Sequence, residues 1–279
     1  MRVSAATGVV LATGLLTAAC GVPVDRQEAA TSAPTATSAP TATSAPTTAI
    51  AASAPTTPTA APARPDPAVG AVFVGGGTLH TCSAAVLDSA AGDLILTAAH
   101  CLAGGIDTTF IAGFRDDAAD DDVWHVDAVY MDERWLNDRD PHADFAIARV
   151  SRDAGGSVRT TAGGGFSLGQ APHPGAVVTV TGYGFGVGGG PVSCTAPTSD
   201  ETGGFPSLPC IGLADGLSGA PWVDGSTVLG IVGGLHAGGC DEKVSYSPPF
   251  DGAIARLLAR AEAGGPADTA PSEFDDECD

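Results

Sequence analysis

The sequence predicts an all-β domain of sandwich or barrel type, and three observations carry that expectation. From residue 68 onward, short apolar runs alternate with turns rich in Gly, Asp and Ser, the spacing expected of antiparallel strands joined by tight connections. The composition agrees: 44% of the 279 residues are hydrophobic but only 5% are aromatic, and 38 are glycine. Helical periodicity occurs once, where Ile254, Leu257, Leu258 and Ala261 fall at i, i+3, i+4 and i+7.

Taken in order, residues 1–19 read as an export signal. Arg2 supplies the positive start, residues 9–16 an apolar stretch too short to span a bilayer, and Thr17, Ala18 and Ala19 a small-residue approach to Cys20. The run from Leu16 to Cys20 resembles a bacterial lipobox, in which the cysteine is lipidated and becomes the new N-terminus; Thr17 stands where such motifs usually carry leucine. The expected location is therefore the outer face of the bacterial cell membrane as a lipoprotein. The alternative is a plain secretory signal cut near Ala19, which would leave an extracellular protein.

Residues 20–66 are dominated by Thr, Ser, Ala and Pro, with a Thr-Ser-Ala-Pro-Thr-Ala unit beginning at Thr31 and recurring at Thr37. Such a segment buries too little apolar surface to offset its ordering entropy, so it is expected as an extended stalk open to O-glycosylation. Residues 67–265 form the expected domain, with strands at 69–74, 84–87, 94–97, 108–112, 123–129, 145–150, 176–181, 220–223 and 228–232. The helix is expected from 251 to 262, ended by Gly264 and Gly265. An acidic tail, 266–279, is expected to be mobile except near Cys278.

Charge narrows the partners. Thirty-two acidic against 12 basic residues give a formal net charge of −20, and Lys243 is the only lysine. Phosphate neutralisation needs clustered Lys and Arg, so nucleic acid is excluded, as is electrostatic adhesion to an anionic membrane face. Membrane contact through a lipid anchor only, and a monomer, are expected.

There are seven cysteines, an odd number that an exported chain must explain. Assigning Cys20 to lipid leaves Cys82, Cys101, Cys194, Cys210, Cys240 and Cys278, enough for three disulfides in an oxidising compartment. Their spacing lacks paired Cys-x-x-Cys ligands, so neither metal nor organic cofactor is expected.

Three segments carry chemistry. His100 follows an apolar strand within Thr-Ala-Ala-His-Cys, and a disulfide between Cys101 and Cys82 would pin its loop. Ser218 lies in Gly216-Leu217-Ser218-Gly219-Ala220-Pro221, where glycines permit a sharp turn and leave the Gly216 and Ser218 N–H groups pointing at one spot. Asp144 opens the run Phe145-Ala146-Ile147-Ala148 at the mouth of an inward-facing strand; Asp138 and Asp140 are rivals in a polar loop. A serine hydroxyl needs a base, the base needs an orienting partner, and the developing oxyanion needs donors. His80, His125, His142, His173 and His236 lack comparable context and read as structural or surface residues.

With these residues the chain resembles the chymotrypsin-like (trypsin-like) serine peptidases, most closely in look the secreted actinobacterial members. The histidine motif 97–101 matches residue for residue, Asp144-Phe145-Ala146-Ile147 resembles the aspartate motif, and 216–221 resembles the serine motif with two substitutions. The order His, Asp, Ser is that of the chymotrypsin triad. The resemblance implies two antiparallel six-stranded β-barrels, about 67–165 and 166–250, with a C-terminal helix. It also implies a serine endopeptidase cleaving a polypeptide through an acyl-enzyme, with His100, Asp144 and Ser218 catalytic and the oxyanion hole at Gly216 and Ser218. Leu217 stands where many members carry an aspartate that pairs with a new N-terminus, and the usual Ile-Val-Gly-Gly start is missing, so the serine loop is expected to be held by packing. Gly233 replaces a serine that commonly bonds the triad aspartate. Counting places Gly212 at the base of the specificity pocket, with Leu235 and Val244 as walls, and a small or medium apolar side chain as the preferred residue. For the disulfides, Cys82–Cys101, Cys194–Cys210 and Cys240–Cys278 are expected, with Cys210–Cys240 and Cys194–Cys278 as the rival set. A second reading from a different class is a weakly active or inactive binding protein on this scaffold, displayed at the cell surface.

Overall fold

The computed structural model describes residues 56–239 and 243–272. The signal, Cys20, most of the stalk, Cys240 and Cys278 lie outside the described residues. Strands dominate. In chain order they are β1 (Ala61–Pro62), β2 (Val69–Val74), β3 (Leu79–Val86), β4 (Leu94–Thr97), β5 (Thr108–Ala112), β6 (Trp124–Met131) and β7 (Ala146–Ser151). The second half continues with β8 (Ser167–Leu168), β9 (Val177–Gly182), β10 (Gly186–Val187), β11 (Val192–Pro197), β12 (Ser199–Thr202), β13 (Phe205–Pro209), β14 (Pro221–Asp224), β15 (Thr227–Ile231) and β16 (Val244–Tyr246).

The first half closes on itself. Strands β3, β2, β5, β6, β7 and β4 pair in that order, and β4 returns to β3 through Ala85 opposite Leu96 and Val86 opposite Ile95. Six strands so joined leave no open edge within the ring. Small residues are buried beside large ones on both faces of these strands: Ala71, Ala84, Ala85 and Ala148 are fully buried with Phe110, Leu96 and Ile147. A low aromatic content thus still fills the barrel, because a narrow interior needs short side chains between long ones.

In the second half, the hydrogen bonding among the described residues does not close one six-stranded ring. It gives a six-stranded sheet, β1-β11-β9-β14-β15-β8, and a separate three-stranded sheet, β12-β13-β16. Glycine and proline turns interrupt the strands too often for one continuous ladder. Strand β11 has no apolar run to mark it: Ser193 and Thr195 face outward and hydrogen-bond Thr181 and Thr179 at 2.9 Å each, while Cys194 and Ala196 face the core. A compact cluster of Val178, Val180, Leu208, Leu217, Trp222 and Val232 fills this half.

Three α-helices are present among the described residues. α1 (Glu133–Asp138) and α2 (Val158–Thr161) were not visible as periodic patterns, being four to six residues long; Asp132 and Ser157 cap their first turns. α3 (Gly252–Glu262) is the expected C-terminal helix, capped by Asp251, which accepts from the Ala253 N–H at 2.7 Å. It buries Ile254, Leu257 and Ala261 against the first half's core.

Both ends of the domain are tied down further than the sequence indicates. The last residues of the expected stalk pair with the second half through β1 and β11. At the other end, the tail expected to be mobile is bound as far as it is described. Asp268 accepts from the Met131 N–H at 2.8 Å and pairs with Arg260, and Gly104 donates to Pro271 O at 2.7 Å.

Candidate active site

Strands β4 and β7 are antiparallel neighbours, with Thr97 opposite Ala146 and Leu96 opposite Ile147. The chain leaves β4 just past Thr97 and enters β7 just before Ala146, so both neighbouring turns project from the same end of the barrel. His100 lies in the turn Ala99–Cys101, and Asp144 follows the turn Pro141–Ala143. The geometry joins them twice. His100 Nδ1 lies 2.8 Å from Asp144 Oδ2, and the His100 backbone N–H donates to Asp144 Oδ1 at 3.0 Å. A third donor is the Gly234 N–H, 2.8 Å from Oδ2.

Asp144 is 1% exposed. Burial pushes its carboxyl up, but the charge of His100 and the hydrogen bonds from His100 and Gly234 outweigh it, so the group is held below the usual carboxylate value. It is therefore an anion at neutral pH. The rival acids do other work: Asp140 accepts from the His142 backbone and pairs with its ring at 2.9 Å, and Asp138 ends α1. His142 stacks on Phe205 with ring centroids 4.1 Å apart. His80 is buried against Phe73, Phe114 and Tyr183 and hydrogen-bonds Gly188 O at 2.9 Å.

Ser218 sits between β13 and β14 in a turn that only glycine permits at two places. Gly216 and Gly219 adopt φ of 87° and 81°. A Cβ at Gly219 would run into the Ser83 carbonyl, and one at Gly216 into the Phe185 backbone. Leu217 is 1% exposed and packs in the second half's core, which is the packing support expected in place of an ion pair. Among the described residues neither the Gly216 nor the Ser218 N–H donates a hydrogen bond within the protein. Two adjacent unpaired donors at a cavity wall suit an oxyanion.

His100, Gly216 and Ser218 line one cavity of about 500 Å³. Its other walls include Leu213, Ala214, Val232, Gly238 and Gly239, together with Phe185 and Thr81. Gly212, expected at the base, does not line it; Gly212 instead faces Ala60 on the outer side of the loop. Leu235 and Val244 do not line it either, and Leu213 and Val232 take their place. His236, expected as a structural or surface residue, is exposed and lies at this cavity, in a turn where it and Ala237 both adopt positive φ. The Ala237 carbonyl is 3.5 Å from Ser218 Oγ, which donates to it.

Two contributors, Gly234 and Ser83, escaped the sequence reading, while Gly233 was already marked there. Gly234 acts through its backbone and so carries no side-chain signature. Gly233 lies where a Cβ would be 3.0 Å from Asp144 Oδ2, the place of the missing serine, and the Gly234 N–H serves that oxygen instead. Ser83 is completely buried and ties the two halves together: its N–H donates to Ser218 O at 2.7 Å and its hydroxyl to Gly216 O at 3.3 Å, and it accepts from the Tyr183 N–H at 2.8 Å.

Disulfides join Cys82 to Cys101 and Cys194 to Cys210. The first lies beside His100; Cys82, His100 and Cys101 place potential ligand atoms within 4.8 Å of one another, but both sulfurs are committed to the bond, so this cluster does not suit a metal.

The barrel, the glycine turn and the buried His–Asp pair define a peptidase-type scaffold. The chain belongs to the trypsin-like peptidase domain family, whose profile matches residues 82–231. Among solved structures, the protease Anisep from Arthrobacter nicotinovorans is similar with a TM-score of 0.63 and 21% identity, covering 72% of this chain and 98% of that one. The thermostable serine protease AL20 from an extremophilic microorganism gives 0.61 and 21%, covering 71% and 98%. Human heparin binding protein gives 0.58 and 15%, covering 75% and 97%. A comparison with curated protein sequences returns no match.

Proposed function

We propose that the protein is a serine endopeptidase, hydrolysing peptide bonds through an acyl-enzyme. The observation that carries this is the buried Asp144 carboxylate bonded to His100 Nδ1 at 2.8 Å, on the cavity that Ser218 also lines. With Nδ1 engaged by Asp144, the ring presents Nε2 as the proton acceptor. Ser218 Oγ attacks the substrate carbonyl carbon as its proton passes to His100 Nε2. Asp144 keeps the ring oriented and stabilises the imidazolium. The carbonyl oxygen becomes an oxyanion, received by the Gly216 and Ser218 N–H groups. Collapse expels the amine, which takes its proton from His100. Water then attacks the acyl-enzyme with His100 again as base, releasing the acid and restoring Ser218.

The apolar walls Leu213, Ala214 and Val232, opened by Gly238 and Gly239, suit a small or medium apolar side chain on the acyl side of the cut. The two-barrel description of the chymotrypsin fold belongs to this reading, as do export and attachment through acylated Cys20. Intact mass of the native protein should show loss of residues 1–19 and acylation at Cys20; an unacylated mature form starting elsewhere overturns the anchor.

The test of the chemistry is a fluorophosphonate probe. The folded, oxidised chain should be labelled, and Ser218→Ala should abolish labelling. Ester and peptide substrate panels separate an esterase from a peptidase. The second reading, a surface-displayed binding protein without turnover, is favoured by the Ser218–Ala237 contact, which turns the hydroxyl toward a backbone carbonyl. Absence of labelling in a folded sample would select it. Its partner would not be a polyanion of the kind named for the human relative, since a net charge of −20 repels one.

A further inference from the structure

The loop that forms the cavity wall is gripped from outside by the chain that leads into the domain. Ile211 donates to Pro58 O at 2.8 Å and accepts from the Ala60 N–H at 2.8 Å. Further on, Ala61 pairs with Ser193, Pro62 with Val192, and the Ala63 N–H donates to Pro191 O at 2.9 Å. The same short segment thus holds β11 and residue 211, the two places that the Cys194–Cys210 disulfide also joins. Ile211 is followed by Gly212, then by Leu213, Ala214, Asp215 and Gly216, which line the cavity, and by Ser218.

The grip consists of backbone bonds. Ala61 and Pro62 are exposed, and only Ala60 packs on the second half's core. Pro62 suits the outer edge, where a missing N–H leaves no ladder partner unpaired. Nothing at residue 217 offers an ion-pair anchor, because Leu217 is apolar and buried.

We propose that residues 58–63, joined without a break to the domain, act as a positioning strap that holds the 211–217 loop in the form presenting the Gly216 and Ser218 N–H groups. Loop order is thereby supplied by a strand added to the sheet edge. The effect on turnover rests on the peptidase reading; the effect on the loop does not.

The experiment uses the full oxidised chain with Ala60→Pro, which removes the N–H that reaches Ile211, and Ala63→Pro, which removes the more distant bond. Ala61→Ser, on the exposed face, is the control. Far-UV circular dichroism verifies folding. Ala60→Pro should lower the fluorophosphonate labelling rate about tenfold and lower kcat more than it raises KM, as expected when donors that meet the developing oxyanion lose a positioning hydrogen bond. Ala63→Pro should do less, and a synthetic peptide of residues 56–66 added in excess to Ala60→Pro should restore the rate. Hydrogen exchange at the Leu217 and Gly219 amides should quicken in Ala60→Pro and recover with the peptide. If Ala60→Pro does not fold, the same readouts on Ala63→Pro decide. Wild-type labelling and exchange in the folded strap variants overturn the strap. A wild-type chain that never labels overturns the peptidase reading alone, and amide exchange still decides the strap.

Discussion

The two halves of the domain keep their order by different means. The first is a closed ring of strands, and His100 and Asp144 project from one end of it, so their separation is set by the β4–β7 register. The second is an open sheet beside a three-stranded one, and Ser218 lies in a turn between strands. That turn depends on separate fastenings: the buried Leu217, the Cys194–Cys210 disulfide, and the bonds from Ser83. The lesson is that His100 and Asp144 are fixed by topology, whereas Ser218 and the Gly216 and Ser218 N–H groups are fixed by local contacts. Damage to the first half should unfold it; damage to the second should loosen the site first.

The sharpest way to separate geometry from chemistry is Asp144→Asn. It keeps the shape on the ring side but removes the charge, and kcat should fall by about 10⁴-fold with the fold intact by circular dichroism. Breaking the second half's covalent tie by replacing Cys194 and Cys210 with alanine should cost about 3 kcal/mol in denaturant unfolding. Labelling should fall well before the first half's amides exchange, and uniform exchange across both halves would contradict the contrast. Leu217→Ala removes packing beneath the serine and should cost about 2 to 3 kcal/mol, seen as a lower midpoint in a denaturant titration. Ser83→Ala leaves the Tyr183 N–H without its partner and should cost about 1 to 2 kcal/mol, with kcat reduced more than stability suggests because Gly216 loses its tether. The smallest effect is with pH. Asp144 has a folded value below its unfolded one, so its contribution is complete above the usual carboxylate value of about 4 and is lost as pH falls through the lower, folded value. A stability titration of wild type against Asp144→Asn should diverge above that range and converge below it.

The candidate site residues were legible wherever a particular side chain carries a local sequence pattern. His100, Asp144 and Ser218 each sit in a local pattern that few other functions require; His100 and Ser218 line one cavity, and Asp144 bonds His100 from within the fold. Backbone donors and buried links left no such mark. The Gly234 N–H is as available in any residue but proline, and Ser83 looks like one more small polar residue in a strand. The pocket estimate failed at Gly212 because counting back from the serine ignores which way the loop turns; its φ of 86° faces it toward Ala60. Fold reading worked best for the first half, where apolar runs are long. It worked less well for β11 and β13, whose Thr, Ser, Cys and Pro content hides an inward-facing row.

One consequence concerns mechanical load. Within the described chain, Pro58 and Ala60 bond Ile211 ahead of the first buried residue, Ala68. Tension from that direction is borne first by two hydrogen bonds, which would part like a fuse while the barrel behind them stays shut.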